Sequence, residues 1–400
     1  MKNWLNSAES ISTELLQIYM DFHRHPELGN EEHRTTERIQ EILESLGLKT
    51  YSATDTGIIG YLECVPGADA VAFRADIDAL PVQEETGVPY ASEIPGRMHA
   101  CGHDLHTTAL LGAAQLLAGR KSELTRNVVF IFQPDEEGDG GAQRILDTGI
   151  LDQLRVKTIF GAHVNPDLPA GSVGIKYGRF YASACVFDVT VHGRGSHGAE
   201  PEKGTDSLYA AARMCAKLKE LTGKYDGERA VVTVGSLHAG TLRNIISDHA
   251  DYSGILRTAG LDLRDSMKTR IKDIIETVNR ETGTTSDVSL RDGYVGVTNH
   301  DAEARLAEKA MKELLGEDAV ITIPEATMTT EDFGFYLLRY PGCYYHIGVG
   351  SDYPLHNAKM CPDVSAIPVA AAMHAAVAEQ WMNSYFVRFG TRSQKSSVAK

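Results

Sequence analysis

At 400 residues, with 42% hydrophobic and 23% charged side chains, the chain exceeds what one compact core usually organises, so two domains are expected and fibrous or disordered classes are excluded. Its 54 acidic and 39 basic side chains give a net charge of −15, which opposes nucleic-acid phosphates and anionic lipid, and no basic patch offsets it. The longest weakly polar run, 369–378, is Ala-rich, contains His374 and falls far short of the ~20 apolar residues that span a bilayer. The stretch Met1 to Met20 carries Glu9 and Glu14 and lacks a continuous apolar core and cleavage site, so a cytoplasmic location is expected. The six cysteines, Cys64, Cys101, Cys185, Cys215, Cys343 and Cys361, form no C-x-x-C pair, which argues against a disulfide scaffold or zinc knuckle.

In chain order, apolar residues at helical spacing predict helices over 7–22 and 31–46, the second stopped by Gly47. Apolar strand-like runs follow at 57–63, 70–75, 127–133 and 156–162, alternating with helical stretches at 103–119 and 140–149, which is the rhythm of an α/β layered domain. Near residue 180 the order becomes strand 184–192, helix 204–221, strands 229–238 and 249–258, helix 261–282 and strand 284–291. That β-α-β-β-α-β order predicts a ferredoxin-like unit, a four-stranded antiparallel sheet with two helices on one face. The α/β pattern resumes with a helix at 299–315, strands at 319–323 and 343–349 and a closing helix at 365–386, so the smaller domain is inserted in the larger. The expected division is 1–180 with 293–400 outside and 181–292 inside, and the Ser/Lys-rich end from Thr391 to Lys400 is expected to be disordered.

In open α/β sheets reactive groups collect at the carboxyl ends of strands, so the residues just after each run carry the chemistry. Met98 to His106 puts Cys101 and His103 on one Gly-containing turn, a sulfur and nitrogen pair suited to zinc or a similar first-row cation, with Asp104 or His106 as supporting partners. The strand 127–133 ends in Asp135-Glu136-Glu137, where neighbouring side chains leave an extended chain on opposite sides. One glutamate can then ligate metal while the other serves as general base. His163 closes the next strand, His356 lies near the end of the larger domain, and Asp76 and Asp78 follow the strand 70–75, where either could orient a ligand histidine or bind metal.

These residues, in this order, resemble the co-catalytic metallo-amidohydrolases, a family that includes hippurate hydrolases, aminoacylases, indole-acetyl-amino-acid hydrolases, N-acetyldiaminopimelate deacetylases and related carboxypeptidases. The likeness runs from Phe22-His23-Arg24-His25-Pro26-Glu27-Leu28 through Arg74 to Pro81, Met98 to Thr107, Gln133 to Gly138, Gly161 to Val164 and Thr330-Glu331-Asp332-Phe333 to His356. The resemblance implies a zinc-peptidase-like catalytic domain with an inserted lid and dimerisation domain. It also implies metal ligation by Cys101, His103, Glu137, His163 and His356, general-base action by Glu136 and orientation of a ligand by Asp78. Asp76 stands where other branches place a histidine ligand.

The implied cofactor is a pair of divalent metal ions, zinc or manganese with cobalt or nickel as alternatives, and the implied reaction is hydrolysis of the amide of an N-acyl-amino acid. Within the lid, His197 in Gly193 to Gly198 is implied to stabilise the oxyanion, often in a partner subunit's site. Asn244 and Arg257 resemble contacts to the substrate, whose free carboxylate a guanidinium would suit. The implied partners are a small-molecule substrate and a second copy of the chain through the lid, with no nucleic acid and no membrane. Departures from the family pattern fall at Glu202, Ser247 and Met360, none of them a proposed ligand. Three other readings are a metallo-carboxypeptidase or dipeptidase, a non-catalytic metal-stabilised binding protein, and thiol catalysis by Cys101 with His103. Neither of the last two requires Glu136 beside five ligands.

Overall fold

The computed structural model describes residues 3–52 and 54–389, so Thr391 to Lys400 lie outside the described residues. The fold is mixed α/β and divides into two compact units. The first comprises Met1–Gly178, Asn299–Pro324 and Phe335–Lys400, and the second Arg179–Thr298 with Glu325–Gly334. The segment Glu325–Gly334, which the sequence division leaves in the outer domain, therefore groups with the inserted one.

The first unit is built on an eight-stranded sheet in the order Lys49–Ser52, Ile58–Leu62, Asn127–Gln133, Ala70–Asp76, Val156–Asn165, Gly342–Gly348, Val173–Ile175, Val320–Thr322. Its centre is parallel, with Ala70–Asp76 paired to both Asn127–Gln133 and Val156–Asn165, and the latter paired to Gly342–Gly348. Three of these four strands are buried at every residue, as parallel strands covered on both faces should be. Register places Asp76 beside Gln133 and His163 beside His346, so the carboxyl ends of neighbouring strands finish level.

Helix His103–Ala118 is buried all round except at Gln115 and Ala118. Full burial of side chains such as Leu105, Leu110 and Leu117 contributes about 1.5–3 kcal/mol each, which anchors the helix whose first residue is a site histidine. The closing helix Ala366–Phe389 packs on it with an Ala-rich surface. No helix among the described residues is long and apolar enough to cross a membrane.

In the first unit one expectation changes and two short strands stand where none was predicted. The first predicted helix is two, Trp4–Ser10 and Ser12–Arg24, broken at Ile11, whose φ of −110° and ψ of 5° leave the helical range. The short strands Lys49–Ser52 and Val173–Ile175 had no readable periodicity, because three or four residues cannot establish an alternation.

The second unit is an antiparallel sheet in the order Gly223–Tyr225, Glu228–Ala239, His249–Thr258, Ser183–His192, Thr285–Asp292, packed by helices Ser207–Lys219 and Leu261–Thr282. Five strands stand where four were expected. The extra one folds back on Glu228–Ala239 through Asp226 and Gly227, both at positive φ, which is the geometry a tight two-residue hairpin needs. Alternate residues Cys185, Phe187, Val189 and Val191 bury against Met214, Leu218, Met267 and Ile271, forming a core distinct from that of the first unit.

Candidate metal centre and active site

The turn before helix His103–Ala118 is set by Gly102, at φ 80°, where a Cβ would lie 2.7 Å from Val164 Cγ2. Only glycine combines that backbone with that approach, and the turn is thereby pressed against the end of strand Val156–Asn165. Cys101 Sγ consequently lies 3.4 Å from His163 Nε2 and 3.3 Å from His356 Nε2. His356 has φ 66°, rare for a residue with a side chain, and its N–H donates to Ala100 O at 2.9 Å. Glu137 Oε1 completes the group, 3.0 Å from His356 Nε2 and 3.9 Å from His103 Nε2.

The orientation of each imidazole is fixed from behind. His103 Nδ1 lies 3.1 Å from Asp78 Oδ1, while Asp78 Oδ2 accepts the Glu137 N–H at 2.9 Å, so one carboxylate aligns both residues. His163 Nδ1–H donates to Val164 O at 2.8 Å, which leaves its Nε2 for Cys101. Such backing is what a metal-binding histidine needs to present one nitrogen.

Asp76 is occupied differently. It takes Arg74 Nη1 at 2.6 Å and His106 Nδ1 at 2.5 Å, with His103 Nε2 3.7 Å away. His106 Nε2 in turn accepts the Val164 N–H at 2.8 Å, so both its nitrogens are committed, and burial lowers its pKa to about 4. It braces the strand end that carries His163. Asp104 pairs with His23 Nδ1 at 2.6 Å and not with a site histidine. His23 also meets Glu84 at 3.2 Å, and although burial opposes its charge, these two carboxylates raise its pKa to about 9. Sequence reasoning gave His23 no role beyond its motif; the partners Glu84 and Asp104 lie 61 and 81 residues away, and no local pattern announces them.

Glu136 and Glu137 occupy a turn, not the extended chain expected. Asp135, at φ 57°, starts it, held by its N–H to Glu32 Oε1 at 2.9 Å and by Arg144 at 2.9 Å. Gly29 and Gly138 leave room for its carboxylate, since a Cβ on either would lie 2.3 Å from Asp135 Oδ1. The turn brings oxygens of both glutamates within 4.8 Å of a His103 nitrogen and of each other.

Electrostatically this pocket calls for cations. Burial disfavours a charged His103, yet Asp76 and Asp78 outweigh it and raise the pKa to about 10. Burial likewise raises Glu137, and the His356 and His103 imidazoles beside it reverse that, holding it at about 2. Burial and the adjacent Glu137 and Glu136 push the Cys101 thiol well up, so a thiolate there requires a nearby positive charge. Two atoms at the centre, His103 Nε2 and Glu137 Oε1, are buried without a hydrogen bond. Buried polar atoms left without a hydrogen bond, beside sulfur, imidazole and carboxylate groups, fit a site where a divalent ion of the zinc type takes the place of the His103 proton.

Comparison with known proteins agrees. The model of peptidase family M20/M25/M40 matches residues 72–380. The chain belongs to that family. It is 36% identical over 367 residues to an N-acetyldiaminopimelate deacetylase of Streptococcus uberis, covering 89% of this chain and 96% of that one. It is 33% identical over 374 residues to the N-acetylcysteine deacetylase of Bacillus subtilis, covering 92% and 97%. The Bacillus subtilis YXEP protein, a dinuclear metal binding peptidase of the M20 family, superposes with a TM-score of 0.84 at 32% identity over 94% of this chain and 99% of that one. This M20 protein is thus a metal-dependent enzyme of the amidohydrolase branch, a family in which dinuclear metal binding is typical.

The first unit of the M20 enzyme brings Cys101, His103, Glu136, Glu137, His163 and His356 together, with Asp78 behind His103. His197, Asn244 and Arg257 belong to the second unit. His197 is exposed, pairs with Ile245 in a two-residue ladder and accepts the Ala199 N–H on Nδ1 at 3.1 Å. The exposed Asn244 offers its carbonyl to Gly198 N–H. Arg257 donates to Met328 O at 2.9 Å.

Proposed function

We propose that this M20 enzyme hydrolyses the amide of N-acyl-amino acids, with N-acetyl-amino acids as the substrate class, releasing a carboxylic acid and an amino acid. The observation that carries the reading is the cluster of Cys101, His103, Glu137, His163 and His356, with Glu136 beside His103 and Glu137, around a His103 Nε2 that is buried without a hydrogen bond among the described residues. The deacetylase activity named for the Streptococcus uberis and Bacillus subtilis relatives supports the acetyl preference.

In the proposed mechanism, Cys101, His103, Glu137, His163 and His356 hold two divalent ions, zinc or manganese, which would supply Lewis acidity to a carbonyl and lower the pKa of water. Glu136 takes the proton of the attacking water and returns it to the leaving amine, so one carboxylate serves as base and then as acid. Asp78 holds His103 and the Glu137 backbone in register, and Asp76, neutralised by Arg74, braces His106 and through it the Val164 peptide. The second unit acts as lid and dimerisation domain, with His197 donating to the oxyanion and Asn244 and Arg257 contacting the substrate's amide and carboxylate.

A panel of N-acetyl, N-benzoyl and N-indolylacetyl amino acids, set beside unblocked dipeptides and assayed on metal-reconstituted enzyme, tests the reading. Turnover of acylated amino acids above dipeptides is expected. Preference for dipeptides would replace it with a dipeptidase assignment.

A further inference from the structure

The second unit's sheet carries two histidines on the face opposite its helices. Along Ser183–His192 the odd-numbered residues bury against the helices, so Thr190 and His192 lie on the other side. His249 is the direct cross-strand partner of His192, and both are exposed. Their ring centroids are 6.1 Å apart. Each ring is oriented by a carboxylate: His192 Nε2 meets Asp287 Oδ2 at 2.8 Å, and His249 Nε2 meets Asp251 Oδ2 at 2.6 Å. Asp251 is itself fixed by the Thr190 hydroxyl at 2.7 Å, and Asp251 and Asp287 flank Thr190 on the two neighbouring strands.

An Nε2–H donated to a carboxylate places the lone pair on Nδ1, and among the described residues neither Nδ1 here has a hydrogen-bond partner. That is the carboxylate–histidine arrangement that prepares an imidazole for a metal. Tetrahedral coordination at 2.0–2.1 Å per nitrogen puts two ligand rings with centroids about 5 Å apart, so side-chain rotations that close the gap by roughly 1 Å would bring both rings onto one ion. The two aspartates supply two negative charges to offset a divalent cation.

We propose that His192 and His249 form a further metal site, a two-imidazole clamp for a first-row divalent ion of the nickel, copper or zinc type, with water completing the coordination. The clamp is independent of the hydrolytic site and of the reaction assigned to it.

The full chain, loaded with its catalytic metals, is titrated with Ni²⁺ by calorimetry, with metal content measured in parallel. Wild-type protein should take up one more equivalent than either His192→Gln or His249→Gln, and Asp287→Asn should weaken that uptake about tenfold. With Cu²⁺ in place of Ni²⁺, the electron paramagnetic resonance spectrum should show coupling to two imidazole nitrogens in wild type and to one in each single histidine variant. Equal uptake by wild type and both histidine variants would overturn the proposal, as would a Cu²⁺ spectrum unchanged between them.

Discussion

His103 and His197 stand in opposite surroundings. His103 is fully buried, faces Asp76 and Asp78, and begins a helix whose packing is set by its leucines. His197 is exposed on a two-residue ladder, with a single backbone N–H on its ring. Among the described residues the first unit thus builds a centre whose side chains are buried and hydrogen-bonded in place, at the cost of burying charged groups. The second presents His197 on an exposed segment, where, in the proposed function, a substrate or second subunit would complete its surroundings. A buried group oriented by two carboxylates is preorganised. An exposed one contributes only when something closes on it.

The largest expected effect tests the preorganised half. Glu136→Gln should lower kcat by about 10²–10⁴-fold with bound metal retained, because only the proton-transfer group is lost. A variant that keeps wild-type turnover removes Glu136 as base. On the other side of the comparison, His197→Ala should lower kcat by about 10²–10³-fold. Metal content and melting temperature should hold, since the side chain is exposed; loss of metal would show that the two regions are not separable in this way.

Asp78→Asn sharpens the account of the buried centre. With His103 and the Glu137 N–H no longer sharing a carboxylate, metal affinity should fall about 10–100-fold, read by competition with a chelator. Unchanged affinity would mean that helix packing alone sets His103.

The smallest effect is on stability. His23 has its folded-state pKa raised from 6.5 to about 9, so its stabilisation is full below pH 6.5 and is lost as pH rises through 9. Chemical denaturation should show stability declining from pH 6.5 to 9 in wild type, with a shallower decline in His23→Gln. Equal slopes would deny His23 a charged role.

Periodicity and composition made much of the architecture legible. The strands Ala70–Asp76, Asn127–Gln133 and Gly342–Gly348 were readable because they are continuous apolar runs, and the β-α-β-β-α-β order because its helices are long. Glu136, Glu137 and His163 were readable because they sit at or just past the ends of such runs, and Cys101 because it stands two residues before His103 on the turn that opens helix His103–Ala118. Backbone that departs from regular periods was not. The turn of Glu136 and Glu137 depends on Asp135 at positive φ between Gly29 and Gly138, and Gly29 is more than a hundred residues distant. The hairpin at Asp226 and Gly227, and the grouping of Glu325–Gly334 with the inserted unit, were likewise invisible in local pattern.

The sequence by itself determined which residue types are available to bind cations and move a proton, and the layered scaffold that carries them. Only the tertiary structure decided how they are paired: Asp78 with His103, Asp76 with Arg74 and His106, Asp104 with His23. Carboxylates two or more residues apart are chemically equivalent in a sequence. What distinguishes them is which imidazole or guanidinium the packing of strands and helices brings within about 3 Å, and that is a long-range property of the folded chain.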